Sequence, residues 1–336
     1  MIRHFTFYFV LFSILVITGA SNCGGSDPKI NYETGTFPEE VVNLEKINSV
    51  YDDYNCNIPM IGDEVPILFA SNRESSGEDF NIITGVIWFL FNQTDGEFTL
   101  DSDMATNELY SVIEDTINND FDQLGPYYLF NSNNGRFYFF YTDESAGGDL
   151  DLRFLSYFPP AFGEMPYFES PDLVSILSSS SNDGYITFDR DIAKVYFTSD
   201  RAGNYDIYEM EVNQGIDFDS WLKGAEQSAV LNDSLNSDYN DKCPFIYQDF
   251  MVFTSDRPGG FGGFDLYFSV FNAGKWSDPF NLGPSINTEY NEYRPLIGFA
   301  GGFTNNFIVF SSDRPDGLGG YDLYFAGIDL EETGNK

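Results

Sequence analysis

One phrase recurs down the chain at a nearly constant interval. It stands as Tyr196-Phe197-Thr198-Ser199-Asp200-Arg201, Val252-Phe253-Thr254-Ser255-Asp256-Arg257 and Val309-Phe310-Ser311-Ser312-Asp313-Arg314. Each copy is followed by an aromatic-Asp-aliphatic-Tyr phrase: Tyr205-Asp206-Ile207-Tyr208, Phe264-Asp265-Leu266-Tyr267 and Tyr321-Asp322-Leu323-Tyr324. Ser199, Ser255 and Ser312 lie 56 and 57 residues apart. A period of that size marks stacked supersecondary units, and it constrains the fold more than any local propensity does.

Two weaker copies lie upstream, at Leu68-Phe69-Ala70-Ser71-Asn72-Arg73 and Phe139-Phe140-Tyr141-Thr142-Asp143-Glu144. With Thr142 aligned on Ser199, the interval is again 57 residues, whereas Ser71 to Thr142 is 71. The first unit is therefore expected to carry an extra loop within 93–107. A second phrase opens the units, as in Ile286-Asn287-Thr288-Glu289-Tyr290-Asn291-Glu292 and Leu235-Asn236-Ser237-Asp238-Tyr239-Asn240-Asp241, and it leads to a proline. Five units are counted. Each reads as four short strands, rich in β-branched and aromatic residues and bounded by Gly, Asn, Asp and Pro. Helical periodicity is weak, with 108–117 the best window. Four-stranded units repeated radially make a β-propeller, which leaves only short, protected sheet edges. The expected fold is an all-β propeller of five four-stranded blades. The fifth unit stops after its third strand, and 36–44 resembles the fourth strand of the preceding unit, so an N-terminal strand is expected to close the ring.

The phrases Ser-Asp-Arg-Pro-Gly-Gly-Phe-Gly-Gly-Phe-Asp-Leu-Tyr (255–267) and Trp-Ser-Asp-Pro-Phe-Asn-Leu-Gly-Pro-Ser-Ile-Asn-Thr-Glu (276–289) resemble the TolB-type, WD40-like β-propeller repeat of bacterial cell-envelope proteins. The resemblance is strongest over 190–330. It implies a propeller used for protein contacts.

The first residues read as an export signal: Arg3 and His4, then an apolar run over 5–17, then a small and polar stretch to Asn22. Cys23 with Gly24-Gly25 after it looks like a bacterial lipoprotein cleavage site, which makes Cys23 the lipidated residue; cleavage after Ala20 is the other reading. The expected organisation is signal peptide 1–22, lipidated tether 23–31, propeller 32–330 and tail 331–336. The expected location is the outer membrane, held there only by the lipid anchor; the alternative is a soluble secreted or periplasmic protein. The formal charge is −37. Such a field repels nucleic acid and anionic membranes and favours cations or basic protein patches. An acidic shell that keeps the protein soluble accounts for it equally. Cys56 and Cys243 fall in blades one and four, which are not neighbours in a ring of five, so the Cα spacing of about 5–6 Å that a disulfide requires is not expected.

The single histidine is His4. Once the signal is removed, histidine-based triads and histidine-ligated zinc are excluded. Carboxylate chemistry survives, because glycoside hydrolysis can run on two carboxylates. The acids that recur once per unit read as structural, since catalytic acids should be unique. The motif residues Ser199, Asp200, Arg201, Asp206, Ser255, Asp256, Arg257, Asp265, Ser312, Asp313, Arg314 and Asp322 are expected to staple each blade, with Asp265 and Asp322 as the arginine partners. No catalytic residue and no cofactor is expected; a Ca²⁺ site in the turn holding Asp313, Asp316 and Asp322 is the alternative. Phe261, Tyr290, Tyr293 and Trp276 are candidates for sugar stacking or for core. The leading expectation is a non-enzymatic scaffold that contacts envelope proteins. The alternative is a glycan-binding or carboxylate-dependent glycan-processing lipoprotein.

Overall fold

The computed structural model describes residues 34–330, apart from 63, 95, 145–147, 160, 162–163, 165 and 169. The expected signal, the tether with Cys23 and the tail lie outside the described residues.

Five antiparallel sheets carry nearly all of the regular structure. Their first strands are Asp53–Asn57, Gln123–Asn131, Asp183–Phe188, Asp241–Tyr247 and Glu292–Gly298. These strands touch one another in cyclic order, and the last returns to the first. Each sheet runs outward from that common axis, so the architecture is the five-bladed propeller that the repeat implies.

The ring closes as the fifth unit requires. Val42 pairs with Phe325 and Asn43 with Tyr324, so an N-terminal strand completes the last blade. Gly35 bridges to Phe303 farther out. Phe37 is fully buried in this seam. Its ring stacks on Phe303 at 3.8 Å and meets Phe89, Phe98, Phe307 and Phe325 edge-on at 5.3–5.7 Å. Phe89 and Phe98 belong to blade 1 and the other three to blade 5, so one side chain joins the two ends of the ring.

Three local features differ from the sequence reading. The extra length of unit 1 is structured rather than looped: Asn81–Phe91 pairs with Phe98–Asp103, and a helix follows at Glu108–Ile117. Asn107 caps that helix, its side chain accepting from the Tyr110 amide at 3.0 Å. Tyr110, Ile113 and Ile117 then pack against Leu68, Phe139 and Tyr141. A five-residue helix at Phe218–Leu222 is too short to show periodicity, yet it buries Phe218, Trp221 and Leu222. The alignment of unit 2 is also one residue off. Leu124 pairs with Thr142 as Gly184 pairs with Thr198 and Lys242 with Thr254. Thr142 therefore corresponds to Thr198, and Asp143 and Glu144 stand where the other blades carry Ser199 and Asp200.

Truncating Phe37 to Ala removes the contact that joins blades 5 and 1. A loss of about 3–5 kcal/mol is expected for a fully buried phenylalanine, read as a lower midpoint in urea unfolding; a change below about 1 kcal/mol contradicts closure through this strand.

Candidate functional site

The recurring phrase is a set of clasps, and each of its letters has a separate partner. The arginine is the first. Arg73, Arg201, Arg257 and Arg314 reach Asp53, Asp183, Asp241 and Glu292 at 2.5, 2.6, 2.5 and 3.0 Å. These acids open the first strand of every blade but the second, and their side chains are fully buried. The expected partners Asp265 and Asp322 are thus replaced by acids that the sequence reading passed over. Asp265 and Asp322 instead accept the amides of the glycine-rich turns, from Phe261 and Gly262 and from Leu318 and Gly319. The signal for the true partner was present: a hydroxyl residue, Ser49, Ser179, Ser237 or Thr288, lies four positions earlier. Ser179 and Ser237 donate both amide and hydroxyl to Asp183 and Asp241.

The serine accepts from the arginine Nε at 2.9–3.1 Å in Ser71, Ser199, Ser255 and Ser312. The phrase's aromatic and the later tyrosine sandwich the guanidinium: Arg257 lies 5.3 Å from the Phe253 ring and 4.9 Å from Tyr267. The threonine reaches the next blade. Thr142, Thr198, Thr254 and Ser311 accept the amides of Tyr185, Cys243, Arg294 and Asn55.

The aspartate of the phrase secures an asparagine that spans the blade boundary. Asp200, Asp256 and Asp313 accept from Asn182, Asn240 and Asn291. The oxygens of those asparagines accept the amides of Leu150, Tyr205 and Phe264 in the preceding blade at 2.9–3.2 Å. Blade 1 swaps the pair, with Asp52 facing Asn72 and accepting from Tyr321 at 2.8 Å. Blade 2 breaks the rule. Asp122 accepts from Phe80 at 2.8 Å, but the position facing it holds Glu144, tied to it by the same backbone bond as elsewhere. Acidic residues stand at both of the positions that every other blade gives to one acid and one asparagine.

Asp122 stands beside an aromatic collar at one mouth of the axis. Tyr54 meets Phe80 at 4.9 Å, Tyr321 at 5.6 Å and Tyr293 at 6.4 Å, and Tyr293 meets Phe264 at 5.5 Å. Lys242 lies 4.2 Å from the Tyr205 ring centroid and 5.2 Å from that of Tyr293. Burial holds its ammonium below the usual lysine range. Burial likewise raises the Tyr54 hydroxyl, and the nearby charges of Asp122 and Asp52 push it further. Desolvation raises Asp122 itself, against the Phe80 amide, which lowers it. Apolar ring faces, a weakened ammonium and the Asp122 carboxylate suit a ligand that offers C–H faces and hydroxyls together. Of the aromatics singled out in the sequence, Tyr293 belongs to this collar. Trp276 is core, donating to the Tyr196 hydroxyl at 3.1 Å, and Phe261 is exposed on its turn.

Asp206 is the exception among the turn acids. Its turn is shorter, and in place of two amides it has Asn204 at 3.2 Å. Burial, with the Asp241 charge adding, lifts its carboxyl to about 6. Asp313, Asp316 and Asp322 do not form a cation cage: Asp313 holds Asn291, and Asp322 holds the 318–319 amides and Asn43. Among the described residues no group of three or more Asp, Glu, Cys or His is placed to hold a metal. Cys56 and Cys243 are both buried free thiols.

No protein-family model and no curated protein matches the chain. Solved structures do. An α-L-arabinofuranosidase from Podospora anserina, solved with cellotriose, aligns at TM-score 0.50 and 11% identity over 88% of this chain and 96% of its own. The catalytic domain of a GH62 α-L-arabinofuranosidase from Coprinopsis cinerea aligns at 0.51 and 10% over 88% and 97%. An exo-β-1,3-galactanase from Clostridium thermocellum aligns at 0.51 and 10% over 86% and 63%. This chain shares their fold. The expected TolB-type kinship is overturned by these neighbours, which are glycoside hydrolase propellers, and by the lack of a matching repeat family. The non-enzymatic scaffold reading rested on that kinship and falls with it.

Two substitutions test the electrostatics. Arg257→Met leaves Asp241 charged and buried without its partner, and a loss of about 3–5 kcal/mol is expected in chemical unfolding; a neutral effect contradicts the clasp. Asp206 has a folded pKa above its unfolded value, so its ionisation costs stability. That cost is absent below about pH 4 and complete above about pH 6. Asp206→Asn should raise the melting temperature at pH 7.5 by about 2–4 °C and flatten the fall in stability between pH 4 and 6; an unchanged profile contradicts the assignment.

Proposed function

We propose that this propeller processes glycans at the collar, using Asp122 and Glu144 as its pair of carboxylates. The observation that carries the reading is the break in the fivefold pattern. Elsewhere this place pairs an acid with an amide side chain; in blade 2 both positions are acidic while Asp122 still accepts from Phe80 across the seam, and the aromatic collar adjoins Asp122. Repeated acids serve the fold, and this pair is not repeated. Asp122, raised by desolvation, suits the proton donor that protonates a leaving glycosidic oxygen. Glu144 suits the ionised partner that activates water or stabilises the developing positive charge at the sugar carbon. Tyr54, Phe80 and Tyr321 offer ring faces against which a sugar's C–H face can stack. Neither step needs an imidazole, consistent with a body that lacks one. The likeness of fold to arabinofuranosidases and to a galactanase supports a glycan as ligand. The apolar run over 5–17 and Cys23, read as an export signal and a lipidation site, would put that action outside the cytoplasm, on the outer membrane or as a soluble secreted or periplasmic protein.

A screen of arabinan, galactan and xylan oligosaccharides, read by reducing-end release, tests this. Asp122→Asn restores the asparagine that blades 3–5 carry and keeps the oxygen that accepts from Phe80, so the fold should hold. We expect hydrolysis to fall on the order of 10²-fold or more in Asp122→Asn and in Glu144→Gln, with melting temperatures unchanged. Binding on a glycan array without turnover by the wild type, or full activity in both variants, contradicts the reading.

A further inference from the structure

The bulge residues of the five first strands, Asn55, Gly125, Tyr185, Cys243 and Arg294, come together at the axis below the collar. All have φ between +47° and +60°. Each first strand shifts register at this point, which turns the bulge side chain inward. Gly125 has no side chain because a Cβ there would lie 2.7 Å from the Tyr185 ring.

Arg294 crosses this space and is fully buried. Its Nη1 donates to the Pro244 carbonyl at 3.3 Å and its Nη2 to the Pro126 carbonyl at 3.2 Å. Its guanidinium carbon lies 5.7 Å from the Tyr185 ring centroid. Among the described residues no carboxylate pairs with it, whereas the four partly buried clasp arginines each have one. The nearby thiols do not supply the charge, since burial pushes Cys56 up to about 12 and Cys243 up to about 11. The Arg294 Nε is left without an acceptor, and the buried Asn55 Oδ1 is left without a donor. A fully desolvated guanidinium held only by neutral carbonyls is costly, and buried charges in folded proteins are paired.

The two orphans are related through Tyr185. The Asn55 Nδ2 lies 3.4 Å from the Tyr185 hydroxyl. Turning the Asn55 amide over lets that hydroxyl donate to its carbonyl oxygen and places both N–H donors at the orphan position. The buried axis then holds two kinds of unpaired donor, the Arg294 Nε–H and the Asn55 NH₂, and a single positive charge.

From this geometry we infer a built-in anion site at the axis, taking one small monovalent anion of the halide class against Arg294 and Asn55. One guanidinium neutralises one negative charge, which disfavours phosphate or sulfate. The anion completes the pairing of the ring's central cation and so stabilises the closed propeller.

The test is a titration of the melting temperature with NaCl and NaBr, held at constant ionic strength with sodium gluconate, together with bromide anomalous diffraction. The expected results are a rise of about 2 °C for each tenfold increase in halide above its dissociation constant, and an anomalous peak within hydrogen-bond distance of Arg294 Nε. Arg294→Met should lose the halide dependence. If that variant fails to fold, the wild-type titration and the diffraction still decide. A water at that position, an anomalous peak unaccompanied by any effect in solution (an adventitious ion only), or melting that is insensitive to halide overturns the proposal.

Discussion

The fold depends on side-chain amides and carboxylates that accept backbone N–H groups across blade boundaries. A propeller has no continuous sheet to join its parts, so each seam needs polar contacts of its own. Phe80, Leu150, Tyr205, Phe264 and Tyr321 donate to Asp122, Asn182, Asn240, Asn291 and Asp52. A second set runs beside them, in which Asn48, Asn118, Asn236 and Asn287 clamp both backbone groups of Leu323, Ile82, Ile207 and Leu266. Each bond contributes about 1 kcal/mol. Repeated around the ring, they set the angle between blades. The glycine-rich turns belong to the same seams. A Cβ on Gly262 would lie 2.0 Å from the Tyr290 carbonyl oxygen, and one on Gly319 would lie 1.9 Å from that of Tyr51.

Charge is managed blade by blade. Four blades bury an acid with an arginine. Blade 2 has Gln123 in place of that acid, and its Asp143 takes both the Gln123 amide and Arg153 at 2.7 Å. The buried charge is therefore balanced locally where the phrase changes, and the two departures from that balance are where a site is proposed. Asp122 with Glu144 is one such departure and Arg294 is another; both lie at the axis or its mouth, where a propeller gathers residues from all of its blades.

The ring was legible in the sequence because the phrase repeats at 56–57 residues and because 36–44 resembles the fourth strand of a unit, which it supplies to blade 5. The partners of the arginines were not legible in the same way. Asp53, Asp183, Asp241 and Glu292 vary in type and open their strands at the end of the weaker, second phrase, whereas Asp265 and Asp322 stand conspicuously inside the stronger one. Spacing along a strand does not reveal which acid faces inward. The candidate site was hidden by a one-residue shift. With Thr142 aligned on Ser199, the pairing of Asp122 with Glu144 looks like an ordinary weak copy, and the loss of the amide goes unseen. The axial bulge is invisible to periodicity altogether, because it depends on a backbone turn that Arg, Cys and Tyr adopt only under tertiary constraint.

Native-state hydrogen exchange at the amides of Phe80, Leu150, Tyr205, Phe264 and Tyr321 tests the central claim most directly. If the blade-crossing acceptors hold the ring as one cooperative unit, all five exchange with the free energy of global unfolding, Tyr321 at the closing seam included. Exchange of any one of them through a local opening several kcal/mol below the global value would contradict the account.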